Sequence, residues 1–354
     1  MKLRGMKYAL VYTTPIVVML SILSGNYWSY SAVILLFVLI PLLELFTKES
    51  TKNLEKIEED IAKEDKIYDW LIYGLVPFQY IILIIFLFQV SNEHLPLYYK
   101  IGATIAYGMA CGIVGINAAH ELGHRVTWYE QLFSKMLLLT TLYMHFFIEH
   151  NRGHHKNVST DDDPASSRLG ETVYAFYVRT IWGSWISAWH LETEKLKRKN
   201  TAVLSYKNEM LLYQIVQLLL LIGIGLFFGV KTLLLFMLGS VIGILLLETV
   251  NYIEHYGLRR KKNGDKYERT MPIHSWNSNH PVGRLILLEL SRHSDHHYMA
   301  SRKYQILRHF DESPQMPTGY PGMLLLALFP ALWFKIMHRR IDVYRQTQKG
   351  TELA

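Results

Sequence analysis

Residues 101–125 read IGATIAYGMACGIVGINAAHELGHR, an uncharged apolar run closed by two histidines four positions apart. A membrane-spanning helix needs about 20 mostly apolar residues. The stretch therefore predicts a span near 101–119 whose end offers His120 and His124 on one face, with Cβ atoms roughly 6 Å apart and both rings able to reach one ion. Working outward, comparable runs lie near 8–24, 28–46, 70–90, 209–229 and 232–252. The first is expected to remain as a span rather than be removed as a signal peptide. Half the residues are hydrophobic, 19% are charged and the mean hydropathy is +0.11. Length alone would allow two soluble domains, but this pattern predicts one all-α integral membrane unit.

Lysine and arginine set the orientation, because such residues favour cytoplasmic loops. Lys2, Arg4 and Lys7 precede the first run, and Lys48, Lys52, Lys56, Lys63 and Lys66 lie in the 47–69 loop. The alternate turns are poor in them: residues 25–27 have none, 91–100 only Lys100, and the turn near 230 only Lys231. Six spans in three hairpins, with both termini in the cytoplasm, fit this pattern. Two apolar stretches remain. The 131–148 stretch is read as a re-entrant or partly immersed helix, since a crossing would separate His120 and His124 from His150, His154 and His155. The 321–337 stretch, broken by Pro330, is read as interfacial.

The single cysteine, Cys111, excludes an internal disulfide and an iron–sulfur or four-thiolate iron site. Electrons for any redox chemistry must come from another protein. The net charge of +7 suits anionic membrane lipids or an acidic soluble partner. No basic–aromatic motif accompanies it, so no nucleic-acid partner is expected.

Four groups of histidines carry the chemistry. They are His120 and His124; His150, His154 and His155; His255; and His293, His296 and His297. A lone pair such as His120/His124 also occurs as helix decoration, and HELGH approaches the HExxH zinc-protease pattern, with Glu121 as base. A catalytic zinc site takes three protein ligands, fewer than are present here. Nine imidazoles match two ions. Ligand type alone leaves zinc, copper, nickel and iron open. His255 taken alone reads as a capped surface residue. Ligating rings usually give their other N–H to a neighbour. Glu121, Glu149, Asp161, Asp162, Asp163, Glu254 and Asp295 are the candidate acceptors, and His145, His274 and His280 the candidate ring partners. A solvated loop carboxylate is the plainer reading of each. The charged run Glu192–Lys199 reads as a solvated helix face.

These stretches resemble the membrane-bound alkane 1-monooxygenases, relatives of the membrane fatty-acid desaturases and xylene monooxygenases. The resemblance rests on NAAHELGHR (117–125), HFFIEHNRGHHKNVSTDDDPASSR (145–168) and NYIEHYGL (251–258). It continues in HSWNSNH (274–280), RHSDHH (292–297), YQILR (304–308) and PTGYPG (317–322), and covers about residues 8–340. It implies two non-haem irons held by His120, His124, His150, His154, His155, His255, His293, His296 and His297, with O2 as co-substrate. It also implies rubredoxin, reduced by an NAD(P)H-dependent reductase, as electron donor; without a cysteine-rich extension, that carrier is expected to be a separate chain. Where the family often has Gln and His, this chain has Ser291 and Ile273; neither is a ligand position.

The expected protein is thus a fatty-acid-desaturase-like fold of the bacterial inner membrane. One domain would cover 1–354, with a transmembrane bundle (8–119 and 209–252) and a cytoplasmic catalytic cap (120–208 and 253–340). The expected reaction is terminal hydroxylation of medium- or long-chain n-alkanes, drawn from the bilayer, to 1-alkanols. The rivals are a desaturase, a hydroxylase of fatty-acid or alkyl-arene chains and, from another class, a histidine-rich metal transporter. Transport would place ligands along the spans rather than at or beyond their ends. Composition does not assign substrate-binding residues, because a Leu/Ile/Phe-rich helix face serves packing or lipid contact equally well.

Overall fold

Gly25, the turn at 92–96 and Gly229 each reverse the direction of an apolar helix. Gly25 and Gly229 do so at φ values of 67° and 81°, a region that residues with a Cβ enter only at a cost. The computed structural model describes residues 5–352, so Lys2 and Arg4 lie outside the described residues. The first hairpin joins α1 (Lys7–Leu23) to α2 (Tyr27–Phe46). After a short α3 (Lys56–Glu64), the second joins α4 (Ile67–Ser91) to α5 (Leu97–Gly123). The third is the 47-residue α9 (Glu209–His255), whose two limbs meet at Gly229. Among the described residues α2, α4, α5 and α9 are long and apolar enough to cross a membrane, and α1 is a shorter apolar helix. The apolar runs of the sequence fall on these helices.

The hairpin tips gather at one end of the bundle. Tyr27 stacks on Tyr98 with ring centres 4.3 Å apart, and Phe88 meets Phe228 edge-on at 5.2 Å. The opposite end carries the remaining segments. These are α6 (Trp128–Leu139), α7 (146–157), α8 (Val173–Arg198), α10 (Pro281–Ile286), α11 (His293–Tyr298), α12 (Tyr320–Ala327) and α13 (Pro330–Glu352), with a two-stranded hairpin, β1 (Lys262–Asn263) and β2 (Lys266–Tyr267).

Glycines bring α5 and α9 together. A Cβ at Gly108 would lie 2.6 Å from the Ile242 side chain, and one at Gly112 2.9 Å from Leu246; Gly239 and Gly243 return the contact against Tyr107 and Cys111. Small residues facing each other permit close approach of apolar helices. The contact matters because α5 carries His120 in its last turn and α9 ends on His255.

The 131–148 stretch is not one helix. α6 has 12 residues, about 18 Å at 1.5 Å each, short of a hydrocarbon core of about 30 Å. The chain then reverses through Leu142, at φ 56°. The Tyr107 hydroxyl donates to the Thr140 carbonyl at 2.6 Å, fixing this turn against α5. The 321–337 stretch breaks at 328–329, and Pro330 opens α13. α8 lies across the polar ends of both limbs of α9, with Thr180 bonded to Glu248 and Arg152 bridging Glu192 to Glu209. Glu192 departs from the solvated face expected of it: it is fully buried and paired with Arg152 and Lys195.

Candidate metal centre

Nine imidazoles from α5, α7, α9 and α11 converge in two groups. His120, His124, His150, His155 and His296 form one; His154, His255, His293 and His297 form the other. Within each group the potential ligand atoms lie within 4.8 Å of one another. The first has two half-buried members, His124 and His155, whereas all four rings of the second are buried. The first is called the outer group and the second the inner.

Local helix geometry sorts the rings. His120 in the last turn of α5 and His124 at its C-cap, four residues apart, both face the outer group. On α11, His293 and His297 share that spacing and face inward, leaving His296 to the outer group. In α7, residues His150–His154 form a π-turn in which the His155 N–H bonds to the His150 carbonyl, five residues back. In a regular α-helix these two residues would be about 140° apart around the axis. The wider turn brings their Nε2 atoms to 3.1 Å and releases His154 to the inner group. π-bulges often accompany functional sites.

The Nε2 atoms face one another. Separations are 3.0 Å for His120–His296, 3.1 Å for His124–His150 and His155–His296, and 3.2 Å for His154–His297 and His255–His293. Two neutral imidazoles meeting in this way share at most one proton, so the outer contacts, in which His150, His155 and His296 each face two other rings, cannot all be hydrogen bonds. Metal–imidazole bonds of about 2.1 Å at right angles would set neighbouring nitrogens about 3.0 Å apart. The donor set therefore fits an ion in each group. Burial holds His150, His155, His293, His296 and His297 well below the ordinary imidazole value, with neighbouring rings adding to the effect. They stay neutral, as a ligand must be. His154 moves the other way: burial lowers it, but the adjacent Asp163 carboxylate outweighs that and raises it.

Two carboxylates reach the rings. Asp163 Oδ2 lies 2.9 Å from His154 Nδ1 and accepts from the Ser166 hydroxyl at 2.5 Å. Glu254 Oε2 lies 3.1 Å from His293 Nε2, while its Oε1 accepts from the Tyr320 hydroxyl at 2.7 Å. The other expected partners turn elsewhere. Glu121 binds Arg125 and the Tyr304 N–H. Asp295 binds Arg302 and the Arg308 N–H. Glu149 packs beside Ser187, its carboxyl pushed up to about 8 by burial and by Asp163. His274 faces Glu268, and His280 faces Ser278 and, more distantly, Glu49. His145 is buried with Nε2 unpartnered among the described residues. Asp161 is exposed and 3.6 Å from Arg259, and Asp162 is exposed.

Sequence reasoning missed several neighbours. Phe146 stacks on His150, ring centres 4.7 Å apart. Glu248 gathers the Tyr143 and Thr180 hydroxyls and the Asn251 amide. The signal for Glu248 was an acidic residue inside an apolar run. Asn117 stood within a quoted motif but carried no role.

An apolar cavity leads away from the histidines between α2, α5, α9 and α12. Its apolar wall includes Leu36, Phe37, Ile113, Leu246, Val250 and Leu324; Asn117, His120, His150, Glu254 and His293 line its histidine end. Leu36 and Phe37 lie in a π-turn of α2, and Ile113 in one of α5. Three departures from α geometry thus border one space.

Residues 97–327 match the fatty acid desaturase family model. The chain is 42% identical over 309 residues to an alkane 1-monooxygenase of Acinetobacter baylyi, covering 87% of this chain and 76% of that protein. It is 40% identical to alkane 1-monooxygenase 1 of Alcanivorax borkumensis, covering 93% and 82%. The hydroxylase component of a Pseudomonas putida xylene/toluene monooxygenase is 30% identical, with 67% and 63% covered.

Proposed function

The chain belongs to the alkane 1-monooxygenase family and is an oxygenase; from that premise we propose that it hydroxylates the terminal carbon of n-alkanes at a pair of non-haem irons. The balanced reaction is R–CH3 + O2 + 2 electrons + 2 H+ giving R–CH2OH + H2O. The outer five histidines would hold one iron and the inner four the other. When bound, the irons supply the O2 chemistry that amino-acid side chains lack. The observation that carries the reading is an apolar cavity ending on His120 and His150 of the outer group and His293 of the inner group.

This chain's own residues do the rest. Asp163 fixes the His154 ring through Nδ1, and Glu254, steadied by Tyr320, stands beside His293. An alkane has no polar handle, so its affinity comes from burial, about 0.8 kcal/mol per CH2. The wall formed by Leu36, Phe37, Ile113, Leu246, Val250 and Leu324 provides that burial, excludes water and directs the methyl end toward the histidines. The helical hairpins would make six crossings of a bacterial inner membrane, drawing substrate from its lipids. The site and both termini would lie on the cytoplasmic side, and residues 1–354 would act as one unit. Electrons would come from rubredoxin, a separate chain, and its NAD(P)H-dependent reductase. The half-buried edges of His124 and His155 favour entry at the outer group.

The test is direct. Purified protein with its iron quantified is given rubredoxin, the reductase, NADH and a series of n-alkanes. About two irons per chain and 1-alkanol as product are expected. Zinc without turnover, or an olefin as product, would overturn the reading.

A further inference from the structure

Asn117 lies three residues before His120 on α5 and belongs to two cavity walls. One is the large apolar cavity, where it stands with His120, His150 and His293; the other is a smaller space beside Glu121 and His296. The side chain is 7% exposed, and its Nδ2 has no hydrogen-bond partner among the described residues. Buried amide groups are ordinarily paired. The polar neighbours at this end are engaged: the Asn251 amide donates to Glu248 at 3.1 Å, and Glu254 accepts from Tyr320. Asn117 therefore presents a free, desolvated donor where the apolar wall meets the histidines.

An alkane cannot use such a donor, but a chain ending in a hydroxyl can. Resting on the alkane reading above, we propose that Asn117 forms a binding subsite for the oxygen of a primary alcohol. Nδ2–H donates to that oxygen while the hydrocarbon tail lies along the wall that the alkane occupies. The product, and any long-chain alcohol in the bilayer, then competes with substrate through a contact the substrate lacks. One hydrogen bond of this kind corresponds to about tenfold in affinity.

The experiment uses iron-loaded protein in lipid nanodiscs carrying tritiated n-dodecane. Unlabelled n-dodecane, 1-dodecanol and 1-chlorododecane serve as displacing ligands at one fixed lipid ratio. Comparing Asn117→Leu with the unaltered protein cancels partition into lipid. The substitution is expected to weaken 1-dodecanol about tenfold and to shift n-dodecane less than twofold. Equal weakening of both ligands would mark a merely structural role and overturn the proposal, as would no change in either. In the unaltered protein, 1-dodecanol should outcompete 1-chlorododecane after correction for partition; equal potency also overturns it, whether or not the variant folds. If the unaltered protein retains no dodecane, the alkane reading itself falls. If dodecane binds and only the alcohol preference is missing, this inference alone falls.

Discussion

Nδ1 of His154 lies 2.9 Å from Oδ2 of Asp163, and both side chains are shut off from solvent. That pair anchors the inner group. Nδ1 of His255, His293 and His297 has no partner among the described residues. Loss of an outer partner to a metal-ligating histidine typically costs 10–100-fold in metal affinity. Asp163→Asn should thus weaken retention of the inner ion by about that factor while the outer group keeps its own, as measured by competition with a graded series of chelators.

Removing ligands one group at a time should split the metal count. His297→Ala takes one ring from the four, and His124→Ala one from the five. Each should lower iron toward about one per chain, by elemental analysis, and abolish alcohol formation. A His297→Ala protein retaining two irons and full turnover would contradict the assignment of that ring.

Cavity shape should set chain length. Val250 stands in the wall near the end of α9. Val250→Phe adds bulk where methylenes are expected to lie, and each displaced CH2 forfeits about 0.8 kcal/mol of burial. Competition among n-alkanes of mixed length should shift toward shorter alcohols by gas chromatography. An unchanged length profile would place the substrate elsewhere.

Acid sensitivity has an identifiable source at Glu289. Burial would raise its carboxyl, but the Arg284 guanidinium, with Arg292 and the Tyr8 hydroxyl, holds it below the usual carboxylate value. With the folded value below the unfolded one of about 4.3, its stabilisation is fully present above that pH. It is lost as pH falls through the folded value. Glu289→Gln leaves buried arginine uncompensated and should cost roughly 3 kcal/mol at neutral pH. The gap between variant and unaltered protein should close on acidification, in unfolding measured in detergent.

The gathering of the histidines was legible because imidazoles recur at helical spacing near the ends of apolar runs. Their division into two groups was not, since it depends on the π-turn at 150–154, which changes which faces His150, His154 and His155 occupy. Backbone phase of that kind leaves little trace in spacing alone. The apolar runs marked the helices, while Gly108, Gly112, Gly239 and Gly243 acquire meaning only once α5 and α9 are side by side. Asp295 shows the converse. Its place among histidines suggested a ring acceptor, but Arg302 and Arg308, brought in by a later loop, claim it. Glu248 and Asn117 are defined by neighbours distant in sequence.

The unequal shielding of the two histidine groups would set a sequence of events for metal loading. The four inward rings have no solvent-facing member, so an ion bound there would have to arrive before the surrounding loops close, or through a passing rearrangement. The edges of His124 and His155 leave their group reachable after folding. Dialysis against a chelator should strip the protein in two phases, the outward ion departing first, and reconstitution of the fully stripped chain should refill the inward group in the slower phase.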